Sequence, residues 1–191
     1  MNNNNFSEKE LVKKGKHLAF LLRHDADAFN HGLIDKNGWR SVKELESLGY
    51  SKKLLEEITL TNNKQRYEFS ADGRKIRARQ GHSIPVDVGL VEQTPPDVLY
   101  HGTTDEVFYE HIVKEGLVPM TRLHVHLSKD EETATNVGKR HGKDVRIIRI
   151  DAKKMYADGC KFWLSNNGVW LTEKVDPKYF IDEYNKKSPT G

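Results

Sequence analysis

Residues 18–25 read LAFLLRHD, an apolar run that ends on an arginine and a histidine. A guanidinium keeps its charge while it binds an anion, and an imidazole exchanges a proton near neutral pH. Arg23 and His24 are therefore a candidate pair for chemistry. The alternative is purely structural, because cations near the last carbonyls of a helix stabilise the helix end.

A row of basic residues is the second candidate. Lys75, Arg77 and Arg79 alternate with small or apolar residues, so on a strand the three cations share one face. The net charge of +3 also lies entirely within residues 1–95. Cations in a row repel one another unless an anion binds, which favours phosphate binding, of RNA or of DNA. The alternative is a solvated edge strand that its charges protect against aggregation.

Other familiar sites find little support in the sequence. His124 and His126 share a strand face and could form a zinc pair with His101 or His141, but no cysteine cluster or HExxH spacing accompanies them. We therefore expect no metal. Cys160 follows a glycine in a polar loop without a visible catalytic partner, and neither a Walker loop nor a GxGxxG fingerprint occurs.

The first half of the chain predicts three helices and a hairpin. Ser7 and Glu10 form a capping box at the start of a helix that carries Arg23 and His24 at its far end, near solvent. Further helices begin near Ser41 and Ser51, and an Asp-Gly turn at residues 72–73 joins two alternating strands. This is the outline of a winged-helix module, a class that usually binds nucleic acid but also serves in protein contacts.

The second half changes pattern after a connector with a Pro-Pro pair. Strands are predicted at 98–103, 124–128 and 144–151, with a final strand pair around an Asn-Asn-Gly turn; helices are predicted at 104–116 and 130–142. The fold class is therefore α+β. The predicted ranges are tail 1–6, N-terminal lobe 7–85, linker 86–97, C-terminal lobe 98–182 and tail 183–191.

Composition indicates a protein of the reducing cytoplasm. Of 191 residues, 31% are charged and 36% hydrophobic, and a single cysteine excludes an internal disulfide framework. No apolar stretch reaches the length of a transmembrane helix. The first ten residues lack the basic and apolar segments of a secretory signal, so we expect a cytoplasmic protein without a membrane partner.

Five pieces together resemble the RNA 2′-phosphotransferase family: LLRH (21–24), KQRYEF (64–69), RARQGHS (77–83), LYHGT (99–103) with HVHLS (124–128), and GKRHG (138–142). The resemblance extends from about residue 11 to residue 180. It implies an N-terminal winged-helix lobe, a C-terminal lobe similar to ADP-ribosyltransferases, and RNA and NAD⁺ meeting in the cleft between them.

The resemblance also implies site residues. The family's essential Arg-His-Arg-Arg tetrad falls on Arg23, His24, Arg66 and Arg140. The implied NAD⁺ residues are His101, Gly102, Thr103, His126 and Ser128, and the implied RNA-binding residues are Arg77, Arg79, His82 and Ser83. Gly102 in addition permits a close backbone approach. NAD⁺ is a consumed co-substrate, the partner is a tRNA-like RNA with a 2′-phosphate, and we expect a monomer.

The implied reaction has two steps. The RNA 2′-phosphate attacks C1″ of the nicotinamide ribose and expels nicotinamide, and O2″ then attacks the phosphorus of the phospho-ADP-ribosylated RNA. The products are 2′-hydroxyl RNA and ADP-ribose 1″,2″-cyclic phosphate. Many ADP-ribosyltransferases place a glutamate where this chain has Val169, and Glu173 is not expected to be catalytic. The alternatives are ADP-ribosylation of terminal phosphates on RNA or DNA, and a non-catalytic winged-helix regulator that binds nucleic acid.

Overall fold

The computed structural model describes residues 6–62 and 64–181, which form two compact units divided between Gly89 and Leu90. Each unit combines helices with antiparallel strands, so the predicted α+β class is confirmed. Within these ranges no helix has the length and apolar character needed to span a bilayer. The predicted tails fall outside the described residues, except for Phe6.

The N-terminal unit carries the predicted helices and one that was not predicted. Its elements are α1 (Glu8–Arg23), α2 (Ala26–Asn30), β1 (Arg40–Ser41), α3 (Val42–Ser47), α4 (Lys52–Thr61), β2 (Tyr67–Phe69) and β3 (Lys75–Ala78). The capping box of α1 is present, because the Ser7 hydroxyl accepts from the Glu10 N–H and the Glu10 carboxylate accepts from the Ser7 N–H. The additional helix α2 is five residues long and is capped by Asp25.

A three-stranded sheet lies beneath these helices, in the order β1-β3-β2. The predicted hairpin is confirmed, with Tyr67 opposite Ala78 and Gly73 at a positive φ of 68° in its turn. Helix α1 packs against α4 and β3 through Leu18, Leu22 and Ile76, which are fully buried. This packing holds the C-terminal end of α1 over the sheet.

The C-terminal unit has two antiparallel sheets. Its elements are β4 (Val91–Glu92), β5 (Val98–Thr104), α5 (Asp105–Val107), a π-helical segment (Phe108–Ile112), α6 (Val113–Glu115), β6 (Val125–Leu127), α7 (Glu131–Gly138), β7 (Val145–Asp151), α8 (Ala152–Ala157), β8 (Phe162–Leu164), β9 (Trp170–Thr172) and a 3₁₀ turn (Pro177–Tyr179). One sheet has the order β4-β8-β9-β6, and the other pairs β5 with β7. Strand β4 lies in the segment predicted as a connector, and α8 was not predicted.

Helix α7 lies unusually close to strand β5, and glycines on both elements permit this. A Cβ on Gly102 would overlap the carbonyl oxygen of Ala134, and a Cβ on Gly138 would lie 3.2 Å from the carbonyl oxygen of Thr103. The backbones can touch only because neither residue has a side chain. The turn after α7 is thereby held beside the end of β5.

Candidate functional site

Arg23 ends α1, as predicted, but its side chain is buried and not near solvent. Only 8% of Arg23 is exposed, because the segment 81–84 folds back over the end of the helix. The N–H groups of Ser83 and Ile84 both donate to the Arg23 carbonyl, at 2.9 and 3.3 Å. Gly81 lies against the guanidinium so closely that a Cβ there would be 3.4 Å from Cζ. The expected exposure was wrong because a segment nearly 60 residues away covers the helix end.

His24 is the C-cap of α1, and Ser83 orients its ring. The backbone N–H of His24 donates to the Phe20 carbonyl at 2.9 Å, which fixes the residue at the last turn. Its Nδ1 lies 2.9 Å from the Ser83 hydroxyl oxygen, in a hydrogen bond between the two side chains. Ser83 therefore contacts both the His24 ring and the Arg23 carbonyl, and its hydroxyl fixes the orientation of the His24 ring.

Arg66 lies between α4 and β2, next to the buried phenol of Tyr67. The Arg66 carbonyl accepts from the Arg79 N–H at 2.9 Å, which ties it to the hairpin. Burial raises the pKa of Tyr67, whereas the positive charges of Arg23 and Arg66 act on the same phenol in the opposite direction. The structure thus brings Arg23, His24 and Arg66 into one region of the N-terminal unit. Tyr67 was not predicted as a site residue, although it follows Arg66 directly.

His82 is a buried, neutral histidine. It is 3% exposed, and its Nε2 has no hydrogen-bond partner among the described residues. Burial, together with the charges of Arg23, His24 and Arg77, lowers the pKa of His82 to about 3. His82 therefore adds no positive charge at neutral pH, and the predicted contact with RNA would have to use a neutral ring.

Two carboxylates of the same unit lie close to the basic row formed by β3 and the residue after it. Nε of Arg77 lies 2.7 Å from Oε1 of Glu68, Nε of Arg79 lies 3.9 Å from Oε2 of Glu68, and Nζ of Lys75 lies 3.4 Å from Oδ2 of Asp35. The edge-strand alternative was wrong, because β3 is the central strand of its sheet. An external anion is not the sole means of relieving the repulsion, because these two carboxylates lie within reach, and the three cations still outnumber them. Binding of RNA by Arg77 and Arg79 stays a prediction.

In the C-terminal unit, His101 on β5 contacts the backbone of His126 on β6. Its Nδ1 lies 3.2 Å from the His126 carbonyl oxygen, which can only accept, so Nδ1 carries the hydrogen. Burial lowers the pKa of His101; the hydrogen bond to the His126 carbonyl opposes this shift in part, and the charge of the nearby His141 adds a smaller lowering effect. His101 is therefore neutral, and its Nε2 is an acceptor that suits a hydroxyl group.

The remaining predicted NAD⁺ residues lie around these two histidines. Thr103 is buried at 5% exposure, and the backbone of Ser128 exchanges two hydrogen bonds with Tyr100, at 2.9 and 2.7 Å. The close approach expected at Gly102 exists, but the backbone of α7 occupies that space. The glycine is thus required by the packing of a helix on a strand, and this requirement is not evidence for a ligand.

Arg140 lies in the turn after α7 and is exposed. Its N–H donates to the Val137 carbonyl at 3.2 Å, and the next N–H, of His141, donates to the Gly138 carbonyl at 2.9 Å. The turn therefore holds the Arg140 backbone while the side chain extends from the surface of its unit. His141 lies close enough to His101 to lower the pKa of that ring. The sequence had suggested His141 only as a possible zinc ligand.

No set of three or more potential metal ligands gathers within the described ranges. His124 packs against Trp163 with ring centroids 5.1 Å apart, whereas Nδ1 of His126 lies 3.0 Å from Nη1 of Arg122. Cys160 is partly buried against the hydrophobic core of its unit. Arg122 was not among the predicted site residues, and because it lies in a turn before β6, its spacing from His126 gives no local signal of this contact.

Comparison with known proteins gives the same family as the motifs. The family model "RNA 2′-phosphotransferase, Tpt1/KptA family" matches residues 9–174. A probable RNA 2′-phosphotransferase of Acaryochloris marina is 42% identical over 181 residues, covering 92% of this chain and 98% of the relative. Those of Hahella chejuensis and Fusobacterium nucleatum are each 47% identical, covering 90% and 88% of this chain and 94% and 96% of the relatives. With most of its length matched by this family model and by these relatives, the chain belongs to the RNA 2′-phosphotransferase family.

Proposed function

We propose that the protein removes an internal 2′-phosphate, such as one left at a splice junction, from RNA in a reaction that consumes NAD⁺. The proposed products are 2′-hydroxyl RNA, ADP-ribose 1″,2″-cyclic phosphate and nicotinamide. In this proposal the N-terminal unit is a winged-helix lobe that binds RNA, and the C-terminal unit is an ADP-ribosyltransferase-like lobe that binds NAD⁺. The proposal rests chiefly on one observation: the end of α1 holds the buried Arg23 beside His24, whose ring is oriented by a hydrogen bond. Arg23 and Arg66 both lie near the phenol of Tyr67.

The arginines serve as the phosphate ligands. In phosphoryl transfer, negative charge spreads over the nonbridging oxygens of the phosphorus. A guanidinium binds two such oxygens at once and keeps its proton throughout. Arg23 and Arg66 would bind the phosphate from the N-terminal unit, and Arg140 would supply a third guanidinium from the C-terminal unit. Because Arg23 is buried, its charge is less screened by water than that of an exposed arginine.

His24 is the proposed general acid or base. An unperturbed imidazole changes its protonation near pH 6.5, so it can take a proton from an attacking hydroxyl or give one to a departing RNA oxygen. The hydrogen bond between its Nδ1 and Ser83 fixes the ring, and Nε2 is then the nitrogen that handles the proton. Ser83 thereby acts on the reaction through the orientation of His24.

The C-terminal unit fits a ligand with sugar hydroxyls. Nε2 of His101 is an acceptor nitrogen on a neutral ring, which is what the O–H group of a ribose requires. NAD⁺ supplies an electrophilic sugar carbon with nicotinamide as its leaving group, and a ribose hydroxyl for the second step. His101, Thr103, His126 and Ser128 are the residues proposed to hold it.

A product analysis tests the proposal. The full-length protein is incubated with NAD⁺ and an RNA oligonucleotide that carries one internal 2′-phosphate, and a matched oligonucleotide with a 2′-hydroxyl serves as control. We expect dephosphorylated RNA and ADP-ribose 1″,2″-cyclic phosphate only with the first RNA, and only when NAD⁺ is present. A stable ADP-ribose adduct on a terminal phosphate would instead support terminal ADP-ribosylation. RNA binding without any product would support the non-catalytic regulator.

A further inference from the structure

Two neighbouring histidines of the C-terminal unit use the same ring atom for hydrogen bonds of opposite kinds. Nδ1 of His101 lies 3.2 Å from the His126 carbonyl oxygen. Nδ1 of His126 lies 3.0 Å from Nη1 of Arg122, which precedes β6 on an exposed stretch. These two contacts determine where each ring carries its hydrogen.

The chemistry of the partners decides the tautomers. A carbonyl oxygen can only accept, so Nδ1 of His101 is protonated and its Nε2 is an acceptor. A guanidinium can only donate, so Nδ1 of His126 must be unprotonated. A neutral imidazole has one ring hydrogen, and His126 therefore carries it on Nε2. The Nε2 atoms of the two rings therefore have opposite hydrogen-bonding roles: that of His101 accepts and that of His126 donates.

We propose that Arg122 is a positioning residue that holds His126 in the Nε2–H tautomer, so that His101 and His126 offer an acceptor and a donor to ribose hydroxyls of NAD⁺. The identity of this ligand rests on the proposed function, whereas the tautomers rest on the hydrogen bonds alone. Arg122 acts through His126 and needs no contact of its own with the substrate.

A sugar diol is well matched by such a pair. Each hydroxyl has one hydrogen to donate and lone pairs with which to accept. The acceptor of His101 takes the hydrogen of one hydroxyl, and the donor of His126 gives a hydrogen to another. Two histidines with donors at both Nε2 atoms would leave a hydroxyl hydrogen unmatched, and a polar group that loses its water on binding without gaining a partner weakens binding. The arginine thus contributes to specificity for a hydroxylated ligand.

The tautomers can be measured directly on the full-length protein by nitrogen-15 NMR of its imidazoles, without substrate. We expect an unprotonated Nδ1 and a protonated Nε2 for His126, and the reverse for His101. The Arg122→Met variant keeps the length of the side chain but removes the donor, and we expect His126 alone to lose its single tautomer. The Arg122→Lys variant restores a donor and should recover it in part. Arg149→Met, at an exposed arginine of β7, is the matched control and should change neither ring.

The same variants are then assayed with NAD⁺ and the 2′-phosphorylated oligonucleotide. For Arg122→Met we expect the KM for NAD⁺ to rise about tenfold, the factor that loss of one well-placed hydrogen bond produces, while kcat stays within about threefold. Arg122→Lys should lie between this variant and the wild type, and Arg149→Met should match the wild type.

The outcomes separate this inference from the proposed function. An Nδ1–H tautomer of His126 in the wild type, or an unchanged spectrum in Arg122→Met, overturns the positioning role. An active wild type whose KM for NAD⁺ is unaffected by Arg122→Met overturns the link to the ligand. A wild type that does not bind or consume NAD⁺ refutes the proposed function, and with it the assignment of the ligand.

Discussion

Gly81 offers a sharp test of the site at the end of α1. Its φ is +88°, and a Cβ on this residue would lie 3.4 Å from Cζ and Nε of Arg23. Alanine at a left-handed φ costs about 1–2 kcal/mol, partly offset because alanine has less freedom than glycine in the unfolded chain. We therefore expect Gly81→Ala to destabilise the protein by about 1 kcal/mol, or about 2–4 °C in Tm.

The effect on activity should be much larger than this loss of stability. The new methyl group would lie at van der Waals contact with the guanidinium, and relief of the strained φ would shift the neighbouring Ser83, which holds His24. Since a displacement of about 1 Å in an active site can reduce the rate about a hundredfold, we expect kcat/KM to fall between about tenfold and a hundredfold.

Gly32→Ala is the matched control. Its φ is +73°, so the backbone strain is similar, but a Cβ there would have no atom within 4 Å. We expect a similar fall in Tm and a kcat/KM within about twofold of the wild type. Thermal unfolding and the oligonucleotide assay are measured for both variants. Equal losses of activity, or a fully active Gly81→Ala that shows the expected loss of stability, would refute the placement of Arg23 at the reaction centre.

Three further predictions concern Arg140, Gly102 and His82. Under the proposed function, Arg140 supplies one of the guanidinium groups that stabilise the transferring phosphate, so Arg140→Ala should leave the Kd for RNA within about threefold but lower kcat at least a hundredfold. The neighbouring Lys139→Ala should be nearly normal in both assays. Gly102→Ala should destabilise the protein by about 3 kcal/mol or more in urea unfolding, because its Cβ overlaps the Ala134 carbonyl. The pKa of His82 is about 3 in the folded protein, so below pH 6.5 the unfolded chain binds a proton that the folded chain does not, and acid destabilises the fold. We expect this effect to lower the free energy of unfolding by about 2 kcal/mol between pH 6.5 and pH 5, and His82→Asn should abolish that part of the loss.

Each of these has a contrary result. Full turnover in Arg140→Ala would remove that residue from the tetrad. A stable Gly102→Ala protein with weakened NAD⁺ binding would show that the glycine is required for binding of the ligand and not for the packing of α7 on β5. If the free energy of unfolding of His82→Asn fell with acid as steeply as that of the wild type, His82 would not be the buried neutral group described above.

The elements that depend on short stretches of sequence were predictable. The capping box at Ser7 and Glu10 joins residues three apart, and the Asp-Gly turn of the hairpin is set by two adjacent residues. The order of strands and helices in the second half also follows from local periodicity. Helix α2 was missed because it is only five residues long and has too few turns for a periodic pattern.

The environment of each candidate residue was not predictable in the same way. Arg23 was expected near solvent, but residues 81–84 cover it, and the hydrogen bond between His24 and Ser83 joins residues 59 apart in sequence. The cations of β3 were expected to need an external anion, but Glu68 and Asp35 approach them once the sheet forms. Residues 81–84 and Asp35 come from distant segments, about which periodicity carries no information, whereas Glu68 lies directly opposite Arg77 in the predicted hairpin.

The sequence by itself determined which chemical groups are present, in which order they occur, and the family to which they belong. The tertiary structure alone decided that Arg23 is buried, that His82 is neutral, and that Gly102 is required by the packing of α7 on β5. It also decided that His101 carries its ring hydrogen on Nδ1 and His126 on Nε2. The physical reason is that charge state, tautomer and burial are set by the atoms within a few ångströms of a group, and folding draws those atoms from distant parts of the chain.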